Sequence, residues 1–126
     1  MFDIPEVMRM AQAMARHSAA RQVVIAENIA QADTPGYRAR DLADFAASYR
    51  GADGLKATRS THLDAQAGPL TLASHTDREA RSLSPNGNSV SLEREMMRGA
   101  QNKQSHELAL GIYSSARTVL RTAIGR

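Results

Sequence analysis

The stretch of sequence that decides the fold is Asn28-Ile29-Ala30-Gln31-Ala32-Asp33-Thr34-Pro35-Gly36-Tyr37. Pro35 pushes Thr34 towards an extended conformation, and Pro35 and Gly36 then supply the fixed and the positive φ of a type II turn. Upstream of this turn, the chain has no Pro or Gly back to Pro5, which suits the first turn of a helix. The sequence therefore predicts a long first helix that ends near Ala32.

The apolar residues of this first helix recur at helical spacing and form a shallow, Ala-rich stripe. Its members are Ile4, Val7, Met8, Ala11, Met14, Ala15, Val23, Ile25 and Ile29. Such a stripe suits close packing against another helix. Beyond the turn, Tyr37 is a large amphipathic anchor, and the spacing of Leu42, Phe45 and Tyr49 predicts a short helix over residues 41–49.

A second long helix is predicted at the carboxyl end of the chain. Ser91 is a good N-cap, Glu93 and Glu95 fall in the first turn, and the helical pattern continues to about Ile124. Polar residues over 98–107 interrupt the stripe, either as a solvated stretch or as side chains hydrogen-bonded between subunits. One apolar face of the last turns is predicted to hold Ala109, Ile112, Tyr113, Ala116, Val119, Leu120, Ala123 and Ile124.

The sequence thus predicts an all-α fold with long terminal helices, packed as a hairpin or coiled-coil-like bundle, and a largely irregular middle. The expected segments are a first helix over 1–32, a turn and short helix over 33–49, a flexible or partner-ordered segment over 50–87, and a final helix over 88–126. Two helices this long cannot bury all their apolar surface on each other within one small globule, so the remaining faces need other subunits.

The distribution of charge argues against a nucleic-acid-binding surface. The formal net charge is +3, and residues 1–32 and 33–87 each sum to zero. The excess lies in residues 88–126, where acids come early and bases late, as the dipole of a helix favours. No recognised DNA-binding motif accompanies the bases.

No catalytic or metal-binding motif stands out. The repeated His-x-Asp pattern of His62, Asp64, His75 and Asp77 could supply metal ligands, but it lies in the segment expected to be least rigid. The sequence contains no GxGxxG, P-loop or HExxH pattern and no cysteine. We therefore expect neither an enzyme nor a cofactor. The chain also shows no apolar run of membrane-spanning length and no cleavable signal peptide at its start.

Two stretches resemble the flagellar basal-body rod proteins, in particular those of the proximal rod. Residues 28–37 are similar to the signature of axial rod and hook proteins, in which Asn-Ile-Ala-Asn precedes a Thr-Pro-Gly-Tyr turn; Gln31 replaces the usual second Asn. Residues 87–96, Gly-Asn-Ser-Val-Ser-Leu-Glu-Arg-Glu-Met, are similar to the start of the carboxyl-terminal helix in the proximal type, with Ser91 where Asp is common. This resemblance implies that the signature residues of the turn are Asn28, Asp33, Thr34, Pro35, Gly36 and Tyr37.

The resemblance implies a structural subunit delivered by the flagellar type III export apparatus without a cleaved signal peptide. Its terminal helices would form the inner tube of the periplasmic rod around the export channel. The implied partners are copies of the same chain, other rod proteins, the rod-base adaptor protein FliE and the export gate. We expect the subunit interface to include Val7, Ala11, Met14, Ile25, Ile29, Leu92, Met96, Leu108, Ile112, Tyr113, Ala116, Val119, Leu120 and Ala123.

Three alternatives stay open on the sequence alone. A needle or inner-rod subunit of another type III device would share the helical ends but should lack the turn at residues 34–37. A small basic nucleic-acid-binding protein would use Arg117 and Arg121. A metal-dependent enzyme built on the two His-x-Asp pairs has the least support.

Overall fold

Two long antiparallel helices form the body of the molecule. The computed structural model describes residues 4–52, 70, 72–81 and 84–125. Helix α1 (Ile4–Ala30) and helix α3 (Leu92–Ile124) pack against each other as a hairpin. Between them lie strand β1 (Arg40–Leu42), helix α2 (Phe45–Ala52) and strand β2 (Ser74–Thr76). The predicted helical fold with an irregular middle is confirmed.

The turn after α1 forms as the sequence predicts, although the helix ends slightly earlier. Regular helix stops at Ala30, and the Thr34 amide then donates to the carbonyl oxygen of Gln31 at 3.0 Å. The Tyr37 amide donates to the carbonyl oxygen of Thr34 at 3.3 Å, and Gly36 has φ 72°. The predicted positive φ is therefore confirmed.

Both ends of α3 are capped. The Ser91 side chain accepts a hydrogen bond from the Arg94 amide, as predicted for an N-cap. At the other end Gly125 has φ 81°, and its amide donates to the carbonyl oxygens of Arg121 and Thr122.

The predicted short helix over residues 41–49 is wrong at its start, because Asp41 and Leu42 belong to β1. This strand pairs antiparallel with β2, so that Arg40 lies opposite Thr76 and Leu42 opposite Ser74. Leu42 is buried, and Asp41 accepts hydrogen bonds from Arg21. Tertiary contacts therefore override the local helical spacing, and the helix begins only at Phe45. A three-residue strand also forms in the middle segment, where the sequence shows no lasting alternation.

The interior of the hairpin is built from small apolar residues and an unusual number of polar ones. Among the described residues, the buried apolar side chains are Ala11, Val24, Ile25, Ala39, Leu42, Ala80 and Ala109. The buried polar ones are His17, Ser18, Asn28, Asn88, Ser89, Glu95 and Asn102. Because buried polar groups must be hydrogen-bonded to be tolerated, these residues fix how the elements fit together.

We expect Gly36→Val to destabilise the chain by about 1 to 3 kcal/mol, because a β-branched residue resists a positive φ. A Cβ at this position would meet nothing within 4 Å, so the loss would come from backbone strain and not from a clash. Gly36→Asn is the matched control, since Asn tolerates this conformation. Urea unfolding of both variants measures the difference, and equal stabilities would show that the turn does not need its glycine.

Candidate assembly site

The side chain of Asn28 joins α1 to three other parts of the chain. Its Nδ2 donates to the Arg40 carbonyl oxygen at 2.7 Å and to Oε2 of Glu95 at 3.1 Å. Its Oδ1 accepts from the Tyr37 hydroxyl at 3.1 Å and from the Arg40 amide at 3.0 Å. Asn28 is 0% exposed, so all four hydrogen-bonding positions of the amide are used inside the protein.

The hydroxyl of Tyr37 is a donor in this network. Burial, together with the charge of Glu27, holds the pKa of Tyr37 above its ordinary value of 10.0. The phenol therefore stays protonated and donates to Asn28. This is how the last residue of the turn is tied back to the helix that precedes it.

Asn88, which is distant in the sequence, binds the turn that follows α1. Its Nδ2 donates to the carbonyl oxygens of Gln31 at 2.8 Å, Ala32 at 2.7 Å and Thr34 at 2.9 Å. These carbonyl groups belong to the turn that follows α1, so the Asn88 amide holds that turn together from within the chain. The Oδ1 of Asn88 accepts from the Val90 amide at 2.8 Å, which orients the chain into α3.

Main-chain contacts continue this junction beyond Asn88. The Gly36 amide donates to the Asn86 carbonyl oxygen at 3.0 Å, and the Ser89 amide donates to the Tyr37 carbonyl oxygen at 3.0 Å. The Ala39 amide donates to Oγ of Ser89 at 2.8 Å.

Residues 28–40 and 86–95 thus form one hydrogen-bonded structure, which we name the polar junction. The sequence marks both stretches but does not show that they meet. Within the signature turn, Asn28 is buried and Tyr37 half-buried, whereas Asp33, Thr34, Pro35 and Gly36 are exposed.

Glu95 is the functional residue that sequence reasoning missed. It was expected only to complement the helix dipole, but it is 1% exposed and accepts from Asn28 and, through Oε1, from Arg98 at 3.1 Å. Glu95, Asn102 and Ala109 follow one another at seven-residue intervals and are all buried. That heptad spacing is the signal that could have placed Glu95 on the inner face.

An ionic cluster holds the β-strands against the hairpin. Arg98 lies 2.6 Å from Oδ2 of Asp77 and 3.9 Å from Oδ2 of Asp41, and Arg21 binds both carboxylate oxygens of Asp41 at 2.9 Å. Burial alone would raise the pKa of each aspartate. The hydrogen bonds and charges of the two arginines outweigh burial and hold both pKa values below the ordinary 3.8.

The polar stretch 98–107 is partly solvated, as one of the two roles predicts, and partly bonded within the chain, which neither role includes. Asn102 is buried and donates to the Ser18 carbonyl oxygen at 2.8 Å and to Oε1 of Gln22 at 3.1 Å, so it joins α3 to α1 of the same chain. Gln101 and Gln104 are exposed. The Nδ1 atom of His106 is buried and has no hydrogen-bond partner among the residues that the structure describes.

Two apolar grooves run between the helices. The middle groove, about 550 Å³, is lined by Ser18, Ala19, Gln22, Val23, Ala26, Gly99, Asn102, Lys103 and His106. The end groove, about 510 Å³, is lined by Ile4, Val7, Leu108, Gly111, Ile112, Ser115, Ala116 and Val119. Apolar grooves of this kind are typical of surfaces that a partner covers.

The structure divides the predicted interface residues into three groups. Ala11 and Ile25 are buried within the chain and are not available to a neighbour in this conformation. Half-buried ones are Val7, Met14, Ile112, Tyr113, Ala116 and Leu120. Exposed ones are Ile29, Leu92, Met96, Leu108, Val119 and Ala123.

The metal hypothesis gains no support from the described part of the chain. His62 and Asp64 lie outside the described residues, and the carboxylate of Asp77 forms an ion pair with Arg98. Within residues 4–52, 70, 72–81 and 84–125, no group of three or more His, Asp and Glu side chains is placed to hold a metal ion. In the same residues no helix has the length and apolarity to cross a membrane.

Comparison with known proteins identifies relatives along most of the chain. A flagellar basal body rod protein FlgB of Escherichia coli K12 is 39% identical over 106 residues, which cover 76% of each chain. The FlgB of Salmonella typhimurium is 36% identical over 107 residues and 77% of each chain, and that of Cereibacter sphaeroides is 35% identical over 82%. No protein-family model matches the chain.

The hairpin, its turn and these relatives define the class: a structural subunit of the flagellar basal-body rod. More particularly, the chain belongs to the FlgB family of flagellar basal body rod proteins.

The polar junction can be tested with substitutions that keep its shape. Asn28→Asp replaces the donor that faces Glu95 with a carboxylate oxygen, and we expect a loss of roughly 3 kcal/mol or more, because two buried negative charges would then face each other. Tyr37→Phe removes one hydrogen bond and should lose only about 1 kcal/mol. Urea unfolding followed by circular dichroism measures both, and similar small losses would contradict the central role of Asn28.

The ionic cluster makes stability depend on pH in a defined direction. Because Asp41 and Asp77 have lowered pKa values in the folded chain, their contribution is present above the unfolded pKa, near 3.8, and is lost as pH falls through the folded values. We expect the unfolding free energy to drop on acidification from about pH 5, and Asp77→Asn to weaken that dependence. Asp33→Asn, at an exposed turn position, is the control and should leave the slope unchanged.

Proposed function

We propose that this rod subunit polymerises through its terminal helices into the drive shaft of the proximal rod, around the export channel. The observation that carries the proposal is the exposure of large apolar side chains on both helices. Val23 is 58% exposed on α1, and Met96 and Val119 are 64% and 53% exposed on α3. Large exposed apolar patches mark surfaces that a partner covers.

Each segment of the chain would have its own part in the assembled rod. Residues 1–32 and 88–126 would form the inner tube, and residues 33–49 would fix the angle at which the chain leaves it. Within the segment 50–87, β2 and Asn86 already contact β1 and Gly36 of the same chain. The polar junction supports this division, because it lies where the two tube helices meet the rest of the chain.

The partners and location follow from the same proposal. The subunit would contact other copies of itself, other rod proteins, the adaptor FliE and the export gate, and would reach the periplasm through the flagellar type III system without a cleaved signal peptide. Its work would be mechanical, with no catalytic step and no cofactor. The rival nucleic-acid hypothesis has only the exposed Arg117 and Arg121 in its favour, and the family of the relatives favours the rod over a needle of another type III device.

The decisive experiment replaces the native chain in a strain from which the gene is deleted. The deletion should abolish swimming and leave basal bodies without a complete rod, and the native chain should restore both. Val119→Asp should not restore swimming, because a charge would lie in an interface that must be dry. Since Val119 is already exposed in the single chain, folding should survive the change.

The matched control is Ser114→Asp, which places the same charge at an exposed polar position on a different face of α3. It should swim nearly as well as the native chain. Swimming by the deletion strain would overturn the rod proposal, whereas equal loss by the two variants would overturn the assignment of the buried face.

A further inference from the structure

Asn86 differs from the other asparagines of the chain in its surroundings. Asn28, Asn88 and Asn102 are buried and hydrogen-bonded inside the protein, whereas Asn86 is exposed. Asn86 is also followed by a glycine, Gly87, while the other three precede Ile, Ser and Lys. A glycine nitrogen approaches the preceding side chain most freely, because glycine has no Cβ to obstruct it. Asn86 is therefore the asparagine best placed to lose its side-chain amide.

The reaction that this pair allows needs only water. The main-chain nitrogen of Gly87 attacks Cγ of Asn86 and forms a cyclic imide, while the Cγ–Nδ2 bond breaks and ammonia leaves with the proton of the Gly87 amide. Water then hydrolyses either of the C–N bonds in the ring. One cleavage gives aspartate, and the other gives isoaspartate, in which the main chain runs through the former side-chain carbonyl. No atom is oxidised or reduced.

In the folded chain the reacting groups are held in other contacts. The Gly87 amide donates to the Ser84 carbonyl oxygen at 3.0 Å, and Oδ1 of Asn86 accepts from the Asn88 amide at 3.1 Å. The main-chain carbonyl oxygen of Asn86 accepts from the Gly36 amide at 3.0 Å. Attack on Cγ requires the Gly87 nitrogen to lose its proton and to turn towards the side chain, so these contacts must open first. Folding therefore slows the reaction.

The two products fit the polar junction differently. Gly87 has φ 82°, and a Cβ added to it would lie 3.6 Å from Cα of Gly36, so the two turns lie side by side. Isoaspartate lengthens the main chain here by a methylene group and turns the acceptor of the Gly36 amide into a free carboxylate. Aspartate keeps the native main chain and both acceptor oxygens. Only isoaspartate therefore displaces the turn at residues 34–37.

We propose that Asn86 is a deamidation site, that the folded polar junction protects it, and that conversion to isoaspartate breaks the contact between the two turns. The proposal concerns the single folded chain and does not depend on the proposed polymerisation. A chain that stays unfolded is altered covalently at this site, whereas a folded chain keeps its junction intact.

Peptide mapping of the purified chain tests the site and its protection. One sample is incubated folded at mildly alkaline pH, another is incubated at the same pH in guanidinium chloride, and both are digested with trypsin at intervals. The tryptic peptide over residues 82–94 contains Asn86 and Asn88, and its fragmentation in the mass spectrometer assigns the converted residue. We expect Asn86 to convert in the denaturant and at least about ten-fold more slowly in the folded chain. Equal rates, faster conversion at Asn88, or no conversion in the denaturant would overturn the proposal.

Tyr37→Phe tests whether the polar junction provides the protection. It removes the hydrogen bond to Asn28 without changing residues 84–88, so conversion of Asn86 in the folded chain should become roughly two- to ten-fold faster. The matched control is Tyr113→Phe, at a half-buried position roughly 30 Å along α3 from its first residue, and it should leave the rate unchanged. Equal rates in the two variants would show that the junction does not protect Asn86.

Hydrogen exchange of the Gly36 amide tests the effect of the product, because this amide donates to Asn86 in the native chain. Isoaspartate-containing chain is separated after incubation in the denaturant, refolded and compared with Asn86→Asp, which has a new charge but a normal main chain. We expect the Gly36 amide to exchange at least about ten-fold faster in the isoaspartate form and within about two-fold of native in Asn86→Asp. Native protection in the isoaspartate form, or equal loss in both proteins, would overturn the claim that the altered main chain breaks the contact.

Discussion

The structure depends on one buried amide. Asn28 sits close to the end of α1 and satisfies all four of its hydrogen-bonding positions with α3, with the turn and with β1. A buried amide loses water on both its donor and its acceptor sides, so a displaced partner leaves an unsatisfied group that costs about 1 to 3 kcal/mol. We therefore expect the contacts around Asn28 to form together and to be lost together.

These buried polar contacts matter more because the interior buries few large apolar side chains. Most buried apolar side chains are small, and several large ones on both helices are exposed. Hydrophobic burial is non-directional and cannot by itself choose the register of two Ala-rich helices. Asn28 with Glu95 and Asn102 with Ser18 fix that register at two levels of the hairpin.

Features that depend on neighbouring residues can be predicted from this sequence, whereas features that depend on contacts between distant residues cannot. The turn at Pro35 and Gly36 and the caps at Ser91 and Gly125 are set by a few adjacent residues, and local chemistry predicts the turn and the N-cap well. Strand β1 was missed because its pairing with β2 and the Arg21 contact to Asp41 span distant parts of the chain. Glu95 was placed at a helix end by its position, yet its partner Asn28 lies 67 residues earlier.

The contact between Asn88 and the end of α1 gives the chain a particular order of folding. Asn88 is 57 residues beyond Gln31, whose carbonyl oxygen it binds, so the turn after α1 lacks this donor until most of the chain is available. Contacts of such long sequence separation form late, because loop closure must precede them. The turn and the hairpin therefore become rigid together, once residues from both ends of the chain have met.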